Sequence, residues 1–333
     1  MAQSPALPVV QVISLGGTIA AAGRAGGGVR PELTADDLVA AVPELGEVAA
    51  VRARSLRQLP SPDLGLADVA ELAGVVDKCL ADGACGVVVT QGTDTLEEVA
   101  YGLDCLLGAE EPVVVTGAMR HPGLAGADGP ANLAAAVRVA AAPGSRGLGC
   151  LVVANDEVHA AAQVRKTHAT SPATFRSPST GPLGWLSEGR LHLAARPFRR
   201  LAPLPRPSTF PPVALVTVAM GDDGRLLGSL ASLGYRGVVL EAMGGGHVPS
   251  AMVEPLAGLA RSMPVVLASR TGAGAVLRET YAFPGSEEDL LGRGLISAGA
   301  LDGLKARILL SILLGSGTSG AELASNFADR SVP

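Results

Sequence analysis

Short runs of valine and isoleucine recur along this chain, and segments with a helical pattern separate them. Continuous apolar runs are typical of strands that are buried on both faces, as in a parallel sheet covered by helices. Strands that alternate with helices favour right-handed βαβ units. Aromatic residues make up only 3% of the chain, so its core must consist of Val, Leu, Ile and Ala. The pattern therefore predicts an α/β protein.

The predicted elements divide the chain into two parts. Before Arg190, strands are predicted at Val9–Ser14, Val51–Leu56, Val87–Thr90, Val113–Thr116 and Leu151–Ala154, and helices at Ala35–Ala41, Leu64–Asp82, Leu96–Leu107 and Ala131–Ala142. After Pro212, strands are predicted at Val213–Val218, Gly237–Glu241 and Val265–Ala268, and helices at Ala251–Arg261 and Leu301–Leu314, the last of which closes the chain.

A proline-rich stretch between the two parts is typical of an extended linker. We therefore predict a larger N-terminal domain (1–190), with a mostly parallel sheet flanked by helices, a linker (191–212) and a smaller C-terminal α/β domain (213–333).

Charge and hydropathy exclude several function classes. The net charge of −5 argues against a nucleic-acid partner. No apolar run approaches the roughly 18 residues that a membrane span needs, and the first residues lack the positive segment of a secretory signal. We therefore expect a cytoplasmic protein whose four cysteines are reduced, mostly buried thiols. A Cys79–Cys105 disulfide would require an oxidising compartment.

Two predicted strands are each followed by a threonine. Thr18 lies in Leu15-Gly16-Gly17-Thr18-Ile19, and Thr93 lies in Gln91-Gly92-Thr93-Asp94-Thr95. Ligands bind at the carboxyl ends of strands in open α/β sheets, and a hydroxyl there becomes a nucleophile when a base lies beside it. The two glycines would let backbone approach a ligand and leave N–H groups for an oxyanion. The simpler interpretation is that Thr18 only caps a turn.

Charged residues accompany these threonines. Asp94 could hold a substrate ammonium group or orient a lysine, and Lys166 could act as a base if it is partly buried. The alternative for Lys166 is a solvated surface lysine. The alternative for Asp94 is a capping box at the helix N-terminus, formed by Asp94 with Glu97 or by Thr95 with Glu98.

Two loops complete the region that the threonines define. Asp128 and Asn132 are expected to brace the loop that contains them. The glycine-rich segment Ala21–Pro31 follows Thr18 directly, and a long loop beside a candidate site predicts a lid.

Further motifs follow in order: Gly117-Ala118-Met119-Arg120, Ala127-Asp128-Gly129-Pro130, Lys166-Thr167 and Thr180-Gly181-Pro182-Leu183-Gly184. Together with the two threonine motifs, they resemble the bacterial-type L-asparaginase/glutaminase family, whose members are threonine amidohydrolases. The resemblance runs from about Val10 to Leu314.

The resemblance implies hydrolysis of the side-chain amide of L-asparagine to L-aspartate and ammonia, with weaker activity on glutamine. Thr18 would attack the amide carbon and form an acyl ester, which water would then hydrolyse. Thr93, Asp94 and Lys166 would form a second relay that moves protons.

The resemblance also implies how substrate is held. Substrate contacts would come from Gly17, Thr93, Asp94 and Ser61, with Ser61 at the α-carboxylate and Asp94 at the α-ammonium group. The resemblance implies a homodimer or homotetramer with sites near the subunit interface, and neither a metal nor an organic cofactor.

The chain departs from the family pattern where substrate would be recognised. Leu15 replaces the first threonine of the nucleophile motif, Gln91 replaces a histidine and Pro62 replaces a glutamine. The family's flexible loop supplies a tyrosine, but this sequence has none between Ala20 and Pro43.

In the C-terminal domain, His247 stands where the family has an asparagine. The acidic residue that the partner subunit donates has no clear match, and Glu279 and Tyr281 lie near its place. Three functions therefore remain open: an asparaginase, an amidase for a modified or peptide-linked amide, and a catalytically weak amino-acid-binding homologue.

Overall fold

The structure is a computed structural model that describes residues 6–22, 30–197 and 200–330. Its internal contacts divide the chain into two units, Met1–Pro203 and Leu204–Pro333. The boundary between the units falls inside the stretch that we predict as a linker.

The first unit contains an eight-stranded sheet and helices on both of its faces. The strands of this unit are β1 (Val9–Gly16), β2 (Ala21–Ala22), β3 (Arg30–Pro31), β4 (Ala50–Leu59), β5 (Gly86–Thr90), β6 (Val113–Thr116), β7 (Cys150–Ala154), β8 (Glu157–Ala160), β9 (Arg165–Lys166), β10 (Phe175–Arg176), β11 (Gly184–Ser187) and β12 (Arg190–Leu193). The helices are α1 (Ala35–Ala40), α2 (Leu45–Val48), α3 (Leu66–Ala81), α4 (Leu96–Leu106) and α5 (Gly129–Ala141).

The order of the strands creates a crevice at one edge of the large sheet. The order is β12-β11-β8-β7-β6-β5-β1-β4, and the strands from β7 to β4 are parallel. The chain passes from β1 to β4 on one side, and it then returns to β5 on the other side of β1. Such a reversal separates the two connections at the carboxyl ends of β1 and β5, which is where α/β sheets bind ligands.

Helices bury both faces of this sheet. Val12, Val88 and Val114 lie on adjacent strands and share a core cluster with Ala134 and Val137 of α5. Side chains alternate along a strand, so the intervening valines face the opposite side, where α3 and α4 pack on β5, β6 and β7. The predicted layered arrangement with a mostly parallel sheet is confirmed. β8, β11 and β12 extend it with antiparallel strands that we did not predict.

The second unit is a smaller α/β unit. Its strands, β13 (Val213–Thr217), β14 (Gly237–Ala242), β15 (Val265–Ser269) and β16 (Ile296–Ser297), form a parallel sheet in that order. Its helices are α6 (Leu227–Leu230), α7 (Val253–Ala260), α8 (Glu287–Gly292), α9 (Gly303–Gly315) and α10 (Ala321–Arg330).

The prediction that the helix ending at Leu314 closes the chain is wrong. Gly317 and Gly320 adopt positive φ angles of 81° and 56°, which permits a tight turn. α10 then follows, and its Leu323 and Phe327 side chains are buried. These two apolar side chains pack α10 against the unit, and most of its other residues are polar or exposed.

Two other expectations concern the chain as a whole. Among the described helices, none has both the length and the hydropathy to cross a bilayer. Cys79 is a free thiol, which agrees with the expectation of reduced cysteines. Burial raises the pKa of the Cys150 thiol well above its usual range.

Candidate active site

The first threonine lies just after the carboxyl end of β1, which pairs with β5. β1 ends at Gly16, and Thr18 opens a short 3-10 turn, Thr18–Ala20. Between them, Gly17 has a φ of 82°, and a Cβ added there would lie 2.0 Å from the backbone nitrogen of Gly92. Only glycine permits this approach. The loop that carries Thr18 therefore packs directly against the loop that precedes Thr93.

The glycines of the first motif do not leave N–H groups for an oxyanion. The N–H of Gly16 donates to Ser14 Oγ at 3.3 Å, and the N–H of Gly17 donates to the Leu59 carbonyl at 3.2 Å. That expectation is wrong because the turn after β1 and the end of β4 use both donors. These hydrogen bonds fix the backbone in front of Thr18.

Ser61 lies against the same loop. It opens the 3-10 turn Ser61–Asp63 after β4, and only 3% of it is exposed. A Cβ on Gly92 would lie 2.6 Å from Ser61 Oγ, and Thr95 Oγ1 donates to the Ser61 carbonyl at 3.0 Å. The packing around Gly92 thus brings together Gly17, Ser61 and Thr93, which lie far apart in the sequence.

Thr93, Asp94 and Lys166 form a hydrogen-bonded group. Thr93 opens the 3-10 turn Thr93–Thr95 after β5, and Lys166 lies on β9. Lys166 Nζ donates to Thr93 Oγ1 at 2.9 Å and to Asp94 Oδ1 at 2.6 Å. The Lys166 side chain is only 14% exposed, whereas that of Asp94 is 63% exposed. This geometry excludes a solvated surface lysine, and it leaves Asp94 accessible to a ligand.

The predicted capping boxes do not form at the start of α4. Thr95 occupies the N-cap position, but its side chain makes no capping hydrogen bond, because its hydroxyl is bonded to Ser61. The carboxylate of Glu97 instead accepts the backbone N–H of Lys166 at 3.2 Å. Glu97 is only 4% exposed. The sequence analysis assigns Glu97 only a capping role, because no pattern of side chains pairs it with a backbone N–H 69 positions away.

Asp128 and Asn132 brace the neighbouring loop, as predicted. Asp128 accepts the backbone N–H groups of Met119 and Arg120 at 3.0 and 2.8 Å, and Asn132 Nδ2 donates to the Gly117 carbonyl at 2.9 Å. A Cβ on Gly117 would lie 3.2 Å from the Thr93 methyl carbon. The brace therefore supports the site from the side of β6.

The residues that depart from the family pattern differ in how deeply they are buried. Leu15 is 2% exposed and Gln91 is fully buried, so these two replacements lie beneath the surface. Pro62 lies within the 3-10 turn that begins at Ser61. β2 and β3 pair at the base of the predicted lid, but residues 23–29, which include Arg24, lie outside the described residues.

The second unit contains the other predicted substrate-binding residues. His247 Nε2 lies 3.1 Å from Glu287 Oε2, and the imidazole contacts the rings of Tyr281 and Phe283 edge-on. Tyr281 is 45% exposed, and Glu279 is exposed on the same segment. The structure thus brings His247 and Tyr281 together.

Glu287 anchors this segment from below and is fully buried. Its Oε1 accepts the backbone N–H groups of Thr280 and Tyr281, each at 2.9 Å. Burial raises the pKa of Glu287, but these hydrogen bonds, together with the contact to His247, outweigh burial and hold the pKa below its ordinary value.

The side chains of this region are of the types that acyl transfer uses. Within the ranges that the structure describes, the His, Cys, Asp and Glu side chains form no group of three or more that could hold a metal ion. The residues at the carboxyl ends of β1 and β5 include Thr18 and Thr93, and the second of these contacts the partly buried amine of Lys166.

Comparisons with known proteins cover nearly the whole chain. A family model described as asparaginase, N-terminal, matches residues 9–199, and a model of the glutaminase/asparaginase C-terminal domain matches residues 212–327. A probable L-asparaginase of Deinococcus radiodurans is 37% identical over 96% of this chain and 97% of the relative.

Two further matches agree. A probable periplasmic L-asparaginase of Haemophilus influenzae is 33% identical over 94% of this chain and 90% of its own length. A crystal structure of a probable cytoplasmic L-asparaginase from Campylobacter jejuni has a TM-score of 0.88 and 29% identity, and the match covers 96% of this chain and 99% of that one.

Proposed function

We propose, because the chain belongs to the asparaginase family, that it hydrolyses L-asparagine to L-aspartate and ammonia through an acyl ester on Thr18. The chain is an asparaginase-type amidohydrolase. The observation that carries the mechanism is the hydrogen-bonded group of Lys166, Thr93 and Asp94 beside the loop of Thr18.

The first half of the reaction would form the ester. Thr18 Oγ1 would attack the side-chain amide carbon of asparagine, the C–N bond would break, and the nitrogen would leave as ammonia after gaining a proton. In the second half, water would attack the ester carbon, the bond from that carbon to Thr18 Oγ1 would break, and a proton from the water would return to Oγ1 as aspartate is released. Each half requires a proton to move to or from the reacting atoms.

Lys166 and Thr93 would move these protons. Lys166 Nζ lies within hydrogen-bonding distance of the Thr93 hydroxyl, so a proton could pass between them without any atom shifting far. Asp94 would hold the amine in place through its 2.6 Å contact.

Substrate recognition would use the surfaces around Gly92. Gly17 and Ser61 approach this glycine from two sides, and Asp94 exposes its carboxylate beside Thr93. The Ser61 hydroxyl would bind the α-carboxylate of asparagine, and Asp94 would bind its α-ammonium group. His247, Glu279 and Tyr281 would complete the site of a partner subunit in a homodimer or homotetramer.

A cytoplasmic location belongs to the same proposal. The Campylobacter jejuni protein is described as cytoplasmic, but the Haemophilus influenzae relative is described as periplasmic. Cell fractionation, with the chain followed by an antibody, tests the location.

The first experiment measures ammonia release from L-asparagine by the wild type and by Thr18→Ala. Loss of the hydroxyl should abolish release, because no ester can form. Thr18→Ser is the matched control, since it keeps the hydroxyl and should retain part of the activity. Full activity in Thr18→Ala would refute the nucleophile. An inactive wild type would refute asparagine as substrate, and modified and peptide-linked amides would then be assayed.

A further inference from the structure

The residues at the start of α4 and in the turn before it hold Lys166 by both its side chain and its backbone. Thr93 and Asp94 accept hydrogen bonds from its Nζ, at 2.9 and 2.6 Å. Glu97 accepts the hydrogen bond from its backbone N–H, at 3.2 Å. The three acceptors lie within five consecutive residues, and Lys166 reaches them from β9, at least 69 positions later.

The pairing of β9 explains why the backbone of Lys166 needs this acceptor. β9 is two residues long and pairs antiparallel with β10, with Lys166 opposite Phe175. The N–H of the next residue, Thr167, donates across the pair to the Thr174 carbonyl. Hydrogen-bonding direction alternates along an antiparallel strand, so the N–H of Lys166 points away from β10. There it meets Glu97 Oε1.

Glu97 itself is firmly placed. It lies in the first turn of α4 and is only 4% exposed. Leu96 and Val99, which flank it on this helix, are buried to at least the same extent. A short two-stranded ladder is a weak support by itself, whereas α4 is packed on the large sheet. The hydrogen bond from the Lys166 N–H to Glu97 therefore fixes β9 relative to α4 and the large sheet.

The position of the lysine backbone matters to the chemistry. A lysine side chain has a flexible four-carbon stem and loses about 2 kcal/mol of rotamer freedom when it is fixed. If its Cα moves, Nζ must find another path to Thr93. A displacement of about 1 Å at a reacting group can cost about 100-fold in rate.

We propose that Glu97 is a positioning residue, which fixes the backbone of Lys166 so that Nζ reaches Thr93 and Asp94. This assignment rests on the proposed function for its effect on catalysis, but not for its effect on structure. Glu97 acts through Lys166 and does not itself exchange a proton with substrate.

The kinetic test compares Glu97→Leu with Glu97→Gln. Leucine removes the acceptor, so kcat for ammonia release from L-asparagine should fall about 30- to 100-fold, while KM should change by less than about threefold. Glutamine keeps an amide oxygen that can accept the Lys166 N–H, so it should restore most of kcat. Glu98→Leu, at the neighbouring carboxylate on the same helix, is the matched control for general damage to α4, and its kcat should fall less than that of Glu97→Leu.

Three kinetic outcomes would overturn the assignment. The first is an unchanged kcat in Glu97→Leu. The second is an equal loss of kcat in Glu97→Leu and Glu98→Leu, which would indicate general damage to α4. Loss of activity in Glu97→Gln equal to that in Glu97→Leu would indicate that the charge of Glu97 is needed and would overturn a role limited to positioning.

Crystal structures of the same variants test the assignment without activity. The distance from Lys166 Nζ to Thr93 Oγ1 should stay near 2.9 Å in Glu97→Gln and should exceed hydrogen-bonding distance in Glu97→Leu. An unmoved lysine in Glu97→Leu would overturn the inference. If the wild type releases no ammonia from asparagine, the proposed function fails, but this structural result still decides the role of Glu97.

Discussion

At the scale of single residues, the site depends on backbone contacts that side chains would prevent. Gly17 and Gly92 approach so closely that a Cβ on the first would overlap the backbone of the second. Ser61 Oγ lies beside Gly92 on its other side. Small residues at these points let three separate segments meet, and two of these segments carry Thr18 and Thr93. Residues that touch no reacting atom can therefore decide whether the site forms.

The relay predicts a strict requirement for lysine at position 166. Lys166→Arg keeps a positive charge beside Asp94, but a guanidinium group does not give up its proton in proteins. If Lys166 moves protons, kcat for ammonia release should fall about 100-fold or more in this variant. Steady-state kinetics at neutral pH measure the change. Lys78→Arg on the exposed end of α3 is the matched control. Wild-type kcat in Lys166→Arg would show that only the charge is needed.

At the scale of elements, the apolar pattern predicts the buried parallel strands well. The strand predicted at Val113–Thr116 has those bounds, and the one predicted at Val87–Thr90 begins one residue earlier. Burial on both faces produces continuous valine runs that are hard to misread. β8, β11 and β12 contain no continuous valine run, and residues such as Trp185 remain exposed. Pairing within the folded sheet decides such strands, and their mixed local pattern does not reveal it.

The site itself divides in the same way. Thr18, Thr93 and Asp94 come from short motifs that follow predicted strands, Lys166 comes from a later motif, and the resemblance assigns their roles. Glu97 escapes the sequence because its partner is a backbone N–H 69 positions away, and such a bond leaves no pattern in side-chain types. The capping prediction for Thr95 is wrong for a related reason, because its hydroxyl donates a hydrogen bond to the carbonyl of Ser61 in another segment.

The lowered pKa of Glu287 predicts that the free energy of unfolding depends on pH. Its pKa in the folded protein lies below its ordinary value of 4.5, so the unfolded state binds the proton more tightly. The stabilisation from the ionised carboxylate is therefore complete above pH 4.5 and is lost as the pH falls through the folded pKa.

Denaturant unfolding of the wild type and Glu287→Gln, from neutral pH to below pH 4.5, tests that response. The difference in the free energy of unfolding should be largest near neutral pH and should shrink in acid. Other carboxylates titrate in both proteins and largely cancel in the difference. A difference that stays constant with pH would show that the charge of Glu287 does not contribute.

At the scale of the whole molecule, each unit has its own buried core. The second unit nevertheless exposes large apolar side chains. Met220 is 94% exposed, Leu233 is 67% exposed and Phe283 is 46% exposed. Phe283 lies 5.9 Å from Tyr281, measured between ring centroids, and both rings contact His247. Exposed apolar groups that cluster in this way commonly mark surfaces where proteins associate.

The proposed assembly predicts that activity depends on protein concentration. If His247 and Tyr281 complete the site of a partner subunit, dilution below the dissociation constant should lower the specific activity and the molar mass together. Phe283→Asp should shift both transitions to higher protein concentration, because it would place a carboxylate in the aromatic contact. Light scattering and ammonia release over the same dilution series measure the two quantities.

Leu233→Asp is the control for this series, since it adds the same charge at another exposed position of the second unit. If both variants shift the transitions equally, the effect comes from charge and not from the aromatic contact. A monomer with full specific activity would show that one chain contains the complete site. His247 and Tyr281 would then have to act within their own chain or not at all, and the substrate contacts assigned to them would be wrong.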